Sequence, residues 1–224
     1  LSIQGNYFPP QISSELHLTI HVTEGLAVHH PLPRIVMSQL FKTFGKEGHK
    51  ASGHSQLKSS VQRSIRGKIA EQYPWLETTG VLEVILPKKQ ELTLIKLPEH
   101  VQLLVADRVV LFFSTRDGGW FPTLRLLHKY PDMMPRLRAD QGAIKFVLSG
   151  ANIMCPGLTS PGATMHDEVE AGTPVALYGE GREHAMAIGY TTMSTAEMRA
   201  QNKGIGVENL HYLNDGLWKT LKID

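Results

Sequence analysis

Between Gln56 and Tyr73 the apolar residues recur at every fourth position, and mostly polar residues fill the places between them. The apolar stripe consists of Leu57, Val61, Ile65 and Ile69. A single stripe at this spacing predicts an amphipathic helix, which Pro74 then ends. The basic residues off the stripe are Lys58, Arg63, Arg66 and Lys68. A solvated helix face is the default interpretation of these charges.

Four short apolar segments follow this helix, separated by polar breaks. They span 81–86, 92–97, 101–106 and 109–114. Each is rich in β-branched or large apolar residues, which predicts strands, and the polar Asp107-Arg108 pair fits a hairpin connection. A stretch bracketed by prolines at 122–131 predicts a short helix or turn. We therefore expect an N-terminal α+β domain in which a helix packs on an antiparallel sheet.

The second half of the chain has a different pattern. Asp140 is placed to cap a helix that runs through Ala143 to Leu148. Ser194 and Glu197 have the spacing of a capping box, which predicts a short helix at 194–201. The strand-like runs are 173–178, 184–193 and 204–213. Short strands, a short helix and many glycines together predict a compact β-barrel of about 85 residues.

These patterns divide the chain into three segments. Residues 37–134 form the predicted N-terminal α+β domain, and residues 135–224 form the predicted barrel. Residues 1–36 precede the first methionine, Met37, and lack the charged start and long apolar block of a signal peptide. We interpret residues 1–36 as an extension, either an irregular tail or a tag-derived segment.

Charge and cysteine content narrow the function classes. The 224-residue chain has a formal net charge of +2, and its single cysteine, Cys155, excludes an intramolecular disulfide and fits a cytoplasmic protein. Residues 37–134 hold 14 basic and 9 acidic side chains, against 8 and 10 in residues 135–224. Any contact with nucleic acid must therefore come from local patches rather than from global charge.

A glycine motif within residues 142–162 is the most informative candidate site. Its fixed positions are Gly142, Ala143, Gly150, Ala151, Pro156 and Gly157. Small residues at these places are expected to expose backbone N–H groups and to let a phosphate or ribose approach closely. Basic residues flank the motif in sequence, and we expect them around one groove. The candidate RNA-binding residues are Arg136, Arg138, Lys145, Gly150, Ala151, Asn152, Met154, Pro156, Gly157 and Lys203.

The spaced motif G-A-x-x-x-x-x-x-G-A-x-x-x-x-P-G resembles the signature of a PUA domain, and every fixed position matches. Longer segments resemble the MCT family of malignant T-cell-amplified sequence proteins. They are QLKSSV at 56–61, PKK at 87–89, PTLRLLHKYP at 122–131, residues 142–163 and residues 202–218. The resemblance covers roughly 37 to 220 and implies an N-terminal α+β domain followed by a PUA β-barrel. The extension and the acidic stretch 164–172 depart from the family.

The resemblance also implies a function. Members of this family are non-enzymatic translation factors that associate with the small ribosomal subunit and pair with the density-regulated protein. Together the two proteins promote release of deacylated tRNA, recycling, reinitiation and some non-standard initiation. The PUA domain is thought to meet the tRNA acceptor end.

Three aromatic side chains each have two interpretations. A core residue is the default for Phe146, and an exposed anchor for a partner protein is the alternative. Tyr212 and Trp218 are expected to close the barrel rather than to stack on bases.

Other chemistry has little support in the sequence. The histidines, including His29-His30, His49 and His54, lack Cys or carboxylate ligands at metal spacing, so we expect no metal site and no cofactor. Cys155 has no recognisable catalytic base paired with it in the sequence, so we expect an inert thiol. Two alternative functions remain open: a protein-interaction adaptor without direct RNA contact, and an accessory subunit of an RNA-modification enzyme.

Overall fold

The computed structural model describes Phe41, Lys42, Phe44, residues 53–115 and residues 119–223. The predicted extension at 1–36 lies outside these residues. Within them, the first half of the chain forms an antiparallel sheet in the order β1-β2-β3-β4-β5. The strands are β1 (Gly53–Gln56), β2 (Thr93–Lys96), β3 (Gln102–Ala106), β4 (Val109–Ser114) and β5 (Trp120–Pro122).

Helices cover this sheet, and one of them replaces a predicted strand. They are α1 (Ser59–Gln72), α2 (Pro74–Thr78), α3 (Val81–Ile85) and α4 (Leu124–Lys129), with 3-10 turns at Pro98–His100 and Pro131–Met133. The prediction of a strand at 81–86 is wrong, because Gly80 takes φ 74 and the chain re-enters a helix. Leu82 and Ile85 then bury on one side while Val84 stays exposed. A short apolar run does not distinguish helix from buried strand.

Two local predictions in this half have different outcomes. The hairpin between β3 and β4 is confirmed: Asp107 and Arg108 take φ 50 and φ 67, as a two-residue turn with both central φ values positive requires. The apolar stripe of α1 is only partly buried. Ile65 and Ile69 are in the core, whereas Val61 is 42% exposed.

A second, mixed sheet forms a half-barrel in the order β7-β11-β10-β9-β6-β8. Its strands are β6 (Arg136–Ala139), β7 (Ile153–Met154), β8 (Thr164–Met165), β9 (Pro174–Gly179), β10 (Ala185–Thr191) and β11 (Ile205–Tyr212). Its helices are α5 (Gln141–Val147), α6 (Pro156–Thr159), α7 (Thr195–Gln201) and α8 (Gly216–Lys219). The α+β class is confirmed. The parallel pairing of β6 with β9, which makes the sheet mixed, was not foreseen.

Side-chain caps set the starts of two helices in the second half, as the sequence predicts. The Asp140 carboxylate accepts a hydrogen bond from the Ala143 backbone N–H at 2.8 Å. Ser194 and Glu197 form the reciprocal capping box at the start of α7. Each cap satisfies backbone donors that the first turn leaves free.

The apolar core is continuous between the two sheets. Buried residues of the second sheet, among them Tyr178, Ile188 and Leu210, belong to the same cluster as the buried face of the first sheet. Arg125 of α4 donates to the Trp218 carbonyl at 2.6 Å and lies 4.4 Å from the Trp218 ring centroid. The division at residues 134 and 135 remains a prediction. In the part of the chain the structure describes, no helix combines the length and apolar character needed to span a membrane.

Candidate nucleic-acid interface

The glycine motif lines a groove of about 770 Å³ on the second sheet. Helix α5, the loop after it, β7 and the start of α6 supply its walls, and Ile205 of β11 closes one side. The groove brings together seven of the candidate RNA-binding and partner-binding residues. They are Lys145, Phe146, Ala151, Asn152, Met154, Pro156 and Gly157.

Gly150 closes the turn that follows α5 and does not line the groove. With φ 91 it takes the left-handed conformation, its N–H donates to the Val147 carbonyl, and the Ala151 N–H donates to the Phe146 carbonyl at 3.0 Å. This is the double hydrogen bond of a helix C-terminus closed by a left-handed glycine. The expectation that the loop offers free N–H groups to phosphate is therefore wrong for Gly150 and Ala151.

The open space predicted at Gly150 is also absent. A Cβ atom at that position would lie 2.9 Å from the ring of Tyr212, which is buried as predicted and fills the place assigned to a ribose. Gly157 has a packing use as well: a Cβ there would lie 3.1 Å from the Ala143 Cβ. Gly150 therefore shapes the groove by close packing, whereas Gly157 packs on Ala143 and also lines the groove, where its contact with RNA remains a prediction.

Asn209 of β11 holds the loop in place, and sequence reasoning did not single it out. Its side-chain amide donates to the Val147 carbonyl at 3.0 Å and to the Ala151 carbonyl at 3.1 Å. Its backbone N–H donates to the Asn152 side-chain oxygen at 3.0 Å. One buried residue thus fixes both ends of the 147–152 segment. Asn209 lies in the segment 202–218 that resembles the MCT family, which was the only indication in the sequence. Its role follows from its tertiary contacts.

The exposed surface of the groove is apolar with one cation. Phe146 is 55% exposed and Met154 is 50% exposed, so the default interpretation of Phe146 as a core residue is wrong. The Lys145 ammonium lies 4.9 Å from the Phe146 ring centroid. Cys155 is buried beside the groove, and desolvation raises the pKa of its thiol. Such a surface can stack on a base or receive an apolar side chain of a partner.

The flanking basic residues do not surround this groove together. Lys145 lines it, whereas Arg136 and Arg138 line a separate hollow on β6. Lys203 is exposed and lines neither. The expectation of four basic residues around one groove is therefore wrong, because alternating strand residues place the two arginines on the outer face of the sheet. Their roles in binding RNA remain predictions.

Family profiles match both halves of the chain. A Pre-PUA-like domain matches residues 45–131, and the PUA domain described as elF2D matches residues 134–216. The chain is 53% identical over 184 residues to the malignant T-cell-amplified sequence 1 homolog of Drosophila melanogaster, which covers 81% of this chain and 98% of that protein. It is 49% identical over 185 residues to malignant T-cell-amplified sequence 2 of Homo sapiens, covering 82% and 100%.

Solved archaeal structures share the fold. A hypothetical protein from Pyrococcus horikoshii superposes with a TM-score of 0.60 at 21% identity, over 75% of this chain and 98% of that one. A conserved PUA domain protein from Thermoplasma acidophilum gives a TM-score of 0.54 at 16% identity, over 75% and 99%. At this identity the likeness concerns the fold alone.

Proposed function

This chain belongs to the MCT family of malignant T-cell-amplified sequence proteins, and we propose from that premise that it is a non-enzymatic translation factor of the cytoplasm. In this proposal it binds the small ribosomal subunit and the tRNA acceptor end. It acts with the density-regulated protein in release of deacylated tRNA, recycling, reinitiation and non-standard initiation. Family membership supports these roles.

The observation that carries the RNA-binding part is the half-apolar groove at the glycine motif. Phe146 and Met154 are each at least half exposed on its surface, with Ala151 and Asn152 between them in sequence. A single-stranded RNA end presents unstacked bases, and stacking of a base on an aromatic side chain contributes about 1–3 kcal/mol. Small-molecule sites of about 300–1,000 Å³ hold ligands of the size of one or two nucleotides, so a groove of about 770 Å³ is large enough.

The Lys145 ammonium supplies the charge for this role. It lies on the exposed surface beside Phe146, where it can meet the phosphate of a nucleotide whose base stacks in the groove. The Asp140 carboxylate, which caps α5 through the Ala143 N–H, also lines the groove and is the opposing charge there. An apolar floor with one cation favours a strand end over a duplex, since a duplex hides its base faces.

A second candidate, a protein-interaction adaptor without RNA contact, draws on the same exposed side chains. Large exposed apolar residues also mark protein interfaces, and Phe146 is the residue we assign to partner binding. The two functions differ in what they need from Ala151. A base or ribose must pass close to that residue, whereas a partner anchored on Phe146 need not.

Co-sedimentation with purified small subunits, with and without the density-regulated protein, tests the ribosomal role. We expect the chain to pellet with the subunit and to show no cleavage or base modification of tRNA. Modification of tRNA by the pure protein would overturn the non-enzymatic assignment. Binding of small subunits without any binding of an isolated acceptor-stem RNA would favour the adaptor.

A further inference from the structure

A hollow of about 450 Å³ lies on the second sheet, apart from the glycine-motif groove. Strand β6 contributes to this hollow because Leu137 and Ala139 are buried on one face of the strand, which places Arg136 and Arg138 on the opposite face. Tyr178 of β9 is the register partner of Arg138. His166 follows β8 on one side, and Arg182 follows β9 on the other.

Two of the three arginines in this hollow are free to bind an anion. Arg136 forms an ion pair with Asp132, and its backbone N–H donates to the Asp167 carboxylate at 2.6 Å. Arg138 and Arg182 make no ion pair with any residue that the structure describes. The Arg138 Nε atom is buried and has no hydrogen-bond acceptor there. A buried donor without an acceptor is unfavourable, and no described contact fixes the Arg138 guanidinium in place, so it can turn toward an oxyanion in the hollow.

The other groups in the hollow suit a phosphate. Burial raises the pKa of Tyr178, so its phenol stays protonated and can donate a hydrogen bond. Planar guanidinium groups bind phosphate oxygens in pairs. The opposing charges are Asp167, which already accepts from the Arg136 N–H, and Glu183, which lies exposed on the rim.

The hollow and the groove lie near the same end of β6. Arg138 precedes Asp140 of the groove wall by two residues, which is about 7 Å in an extended strand. The carboxylates at this junction are engaged with backbone: Asp140 caps α5, and Glu180 accepts from the Gln141 N–H at 3.0 Å. An RNA strand whose end lies in the groove can therefore continue past the hollow.

We propose that Arg138, Arg182 and Tyr178 form a second RNA contact, a site for a backbone phosphate upstream of the nucleotides held in the groove. This inference rests on the proposed binding of an RNA end. The site would bind single-stranded or acceptor-stem RNA. It would contact the phosphate charge and not the bases, so its affinity would not depend on base sequence. Arg182 and Tyr178 are residues that the glycine motif does not indicate.

The test is a titration of a labelled acceptor-stem RNA with the full chain at several salt concentrations. The variants are Arg182→Gln, on an exposed side chain that leaves folding intact, and the double variant Arg138→Gln with Arg182→Gln. Arg63→Gln on α1 is the matched control, since it removes the same charge from an exposed site of the first half. Circular dichroism checks the fold of each variant.

We expect Arg182→Gln to bind about tenfold more weakly and the double variant more weakly still, because charged hydrogen bonds are lost. The slope of log affinity against log salt should fall by about 0.7–0.9 for each lost phosphate contact. Glu183→Gln should strengthen binding, because it removes the carboxylate on the rim, and Arg63→Gln should change nothing.

Two failures are distinguishable. If the parent binds the RNA and the folded double variant binds equally well with the same salt slope, the hollow is not a phosphate site and the groove proposal stands. If the parent does not bind the RNA at any salt concentration, the proposed RNA-binding function fails and this inference fails with it.

Discussion

Gly150 and Tyr212 pack so closely that no side chain fits between them: a Cβ on Gly150 would lie 2.9 Å from the tyrosine ring. The glycine also takes φ 91, where it closes the C-terminus of α5. The same two residues thus set where the helix ends and where the groove loop begins. A position first interpreted as an opening for RNA is part of the packing that shapes the site.

The first prediction follows from that contact. Gly150→Ala should lower the free energy of unfolding by about 2–4 kcal/mol, because it adds left-handed strain and a steric clash with Tyr212. Gly80→Ala is the matched control, since Gly80 also has a positive φ but a Cβ there would meet nothing within 4 Å. Gly80→Ala should lower the free energy of unfolding by only about 1–2 kcal/mol. Urea unfolding measures both, and equal losses would show that the Tyr212 contact is unimportant.

The second prediction concerns Asn209. Asn209→Ala removes two side-chain bonds, to the Val147 and Ala151 carbonyls. The Val147 carbonyl keeps the Gly150 N–H, whereas the Ala151 carbonyl loses its donor. We expect a loss of about 2–4 kcal/mol in the free energy of unfolding. Asn152→Ala removes the single bond from the Asn209 N–H and should cost less. If the Asn209 variant unfolds at the same urea concentration as the parent, the loop is held by other contacts.

The third prediction is a pH dependence of stability. Burial lowers the pKa of His128, whose Nε2 lies 2.8 Å from the Ala185 carbonyl oxygen. The unfolded chain therefore binds a proton near pH 6.5 while the folded chain does not. The contribution of His128 is complete above that pH, and stability falls as the pH drops below about 6.5.

His128→Gln tests this assignment, because its amide can still donate to Ala185 but does not titrate. The decline in urea midpoint between about pH 7 and pH 5 should become shallower in this variant. His54→Gln is the control, since His54 lies exposed on β1. An unchanged slope in the His128 variant would assign the acid sensitivity to other groups.

The fourth prediction concerns the partner. Because Phe146 is 55% exposed, Phe146→Asp should fold with a melting temperature near that of the parent. We expect it to lose affinity for acceptor-stem RNA if a base stacks on the ring, and to lose binding to the density-regulated protein if the ring anchors the partner. Calorimetry with each ligand measures both, with circular dichroism as the fold check. A folded variant that binds the partner normally would remove Phe146 from the interface, and an unfolded one would contradict its exposure.

Helix caps and tight turns could be predicted from the sequence, because each depends on residues that are close together in the chain. Asp140, the Ser194–Glu197 box and the Asp107-Arg108 turn each act within a few residues, so no distant contact could override them. The strand prediction at 81–86 was wrong because an apolar run of this length fits a strand or a helix equally well. The left-handed Gly80 starts a helix there, and Leu82 and Ile85 join the apolar core from it.

The candidate site was predicted only in part, because some of its residues are distant from the motif in the chain. The motif spacing located the groove, because its residues are close in the chain. It did not reveal Tyr212 and Asn209, which reach the loop from β11, about sixty residues away. Nor did it separate Arg136 and Arg138 from Lys145, because neighbours in sequence lie on different surfaces once a strand turns into a helix.

Two lysines near the motif allow a comparison that tests whether the groove binds phosphate. Lys145 lines it beside Phe146, whereas Lys203 is exposed and outside its lining. Lys145→Ala should weaken binding of all acceptor sequences similarly and lower the salt slope by about one unit. Lys203→Ala should lower the affinity and the salt slope only if the bound RNA extends beyond Ile205. A Lys145 variant with unchanged affinity and salt slope would show that this cation does not meet phosphate.

The most direct test of RNA binding at the glycine motif is the affinity of Ala151→Asp for an acceptor-stem RNA. Ala151 lies half-buried on the groove wall, and its N–H is already bonded to Phe146, so a larger side chain extends into the groove without breaking the loop. A carboxylate there would fill the space for a ribose and repel phosphate. Titration of labelled RNA, with the fold verified by circular dichroism, should show at least about a tenfold loss of affinity. A folded Ala151→Asp variant that binds as tightly as the parent would contradict the account and favour the adaptor.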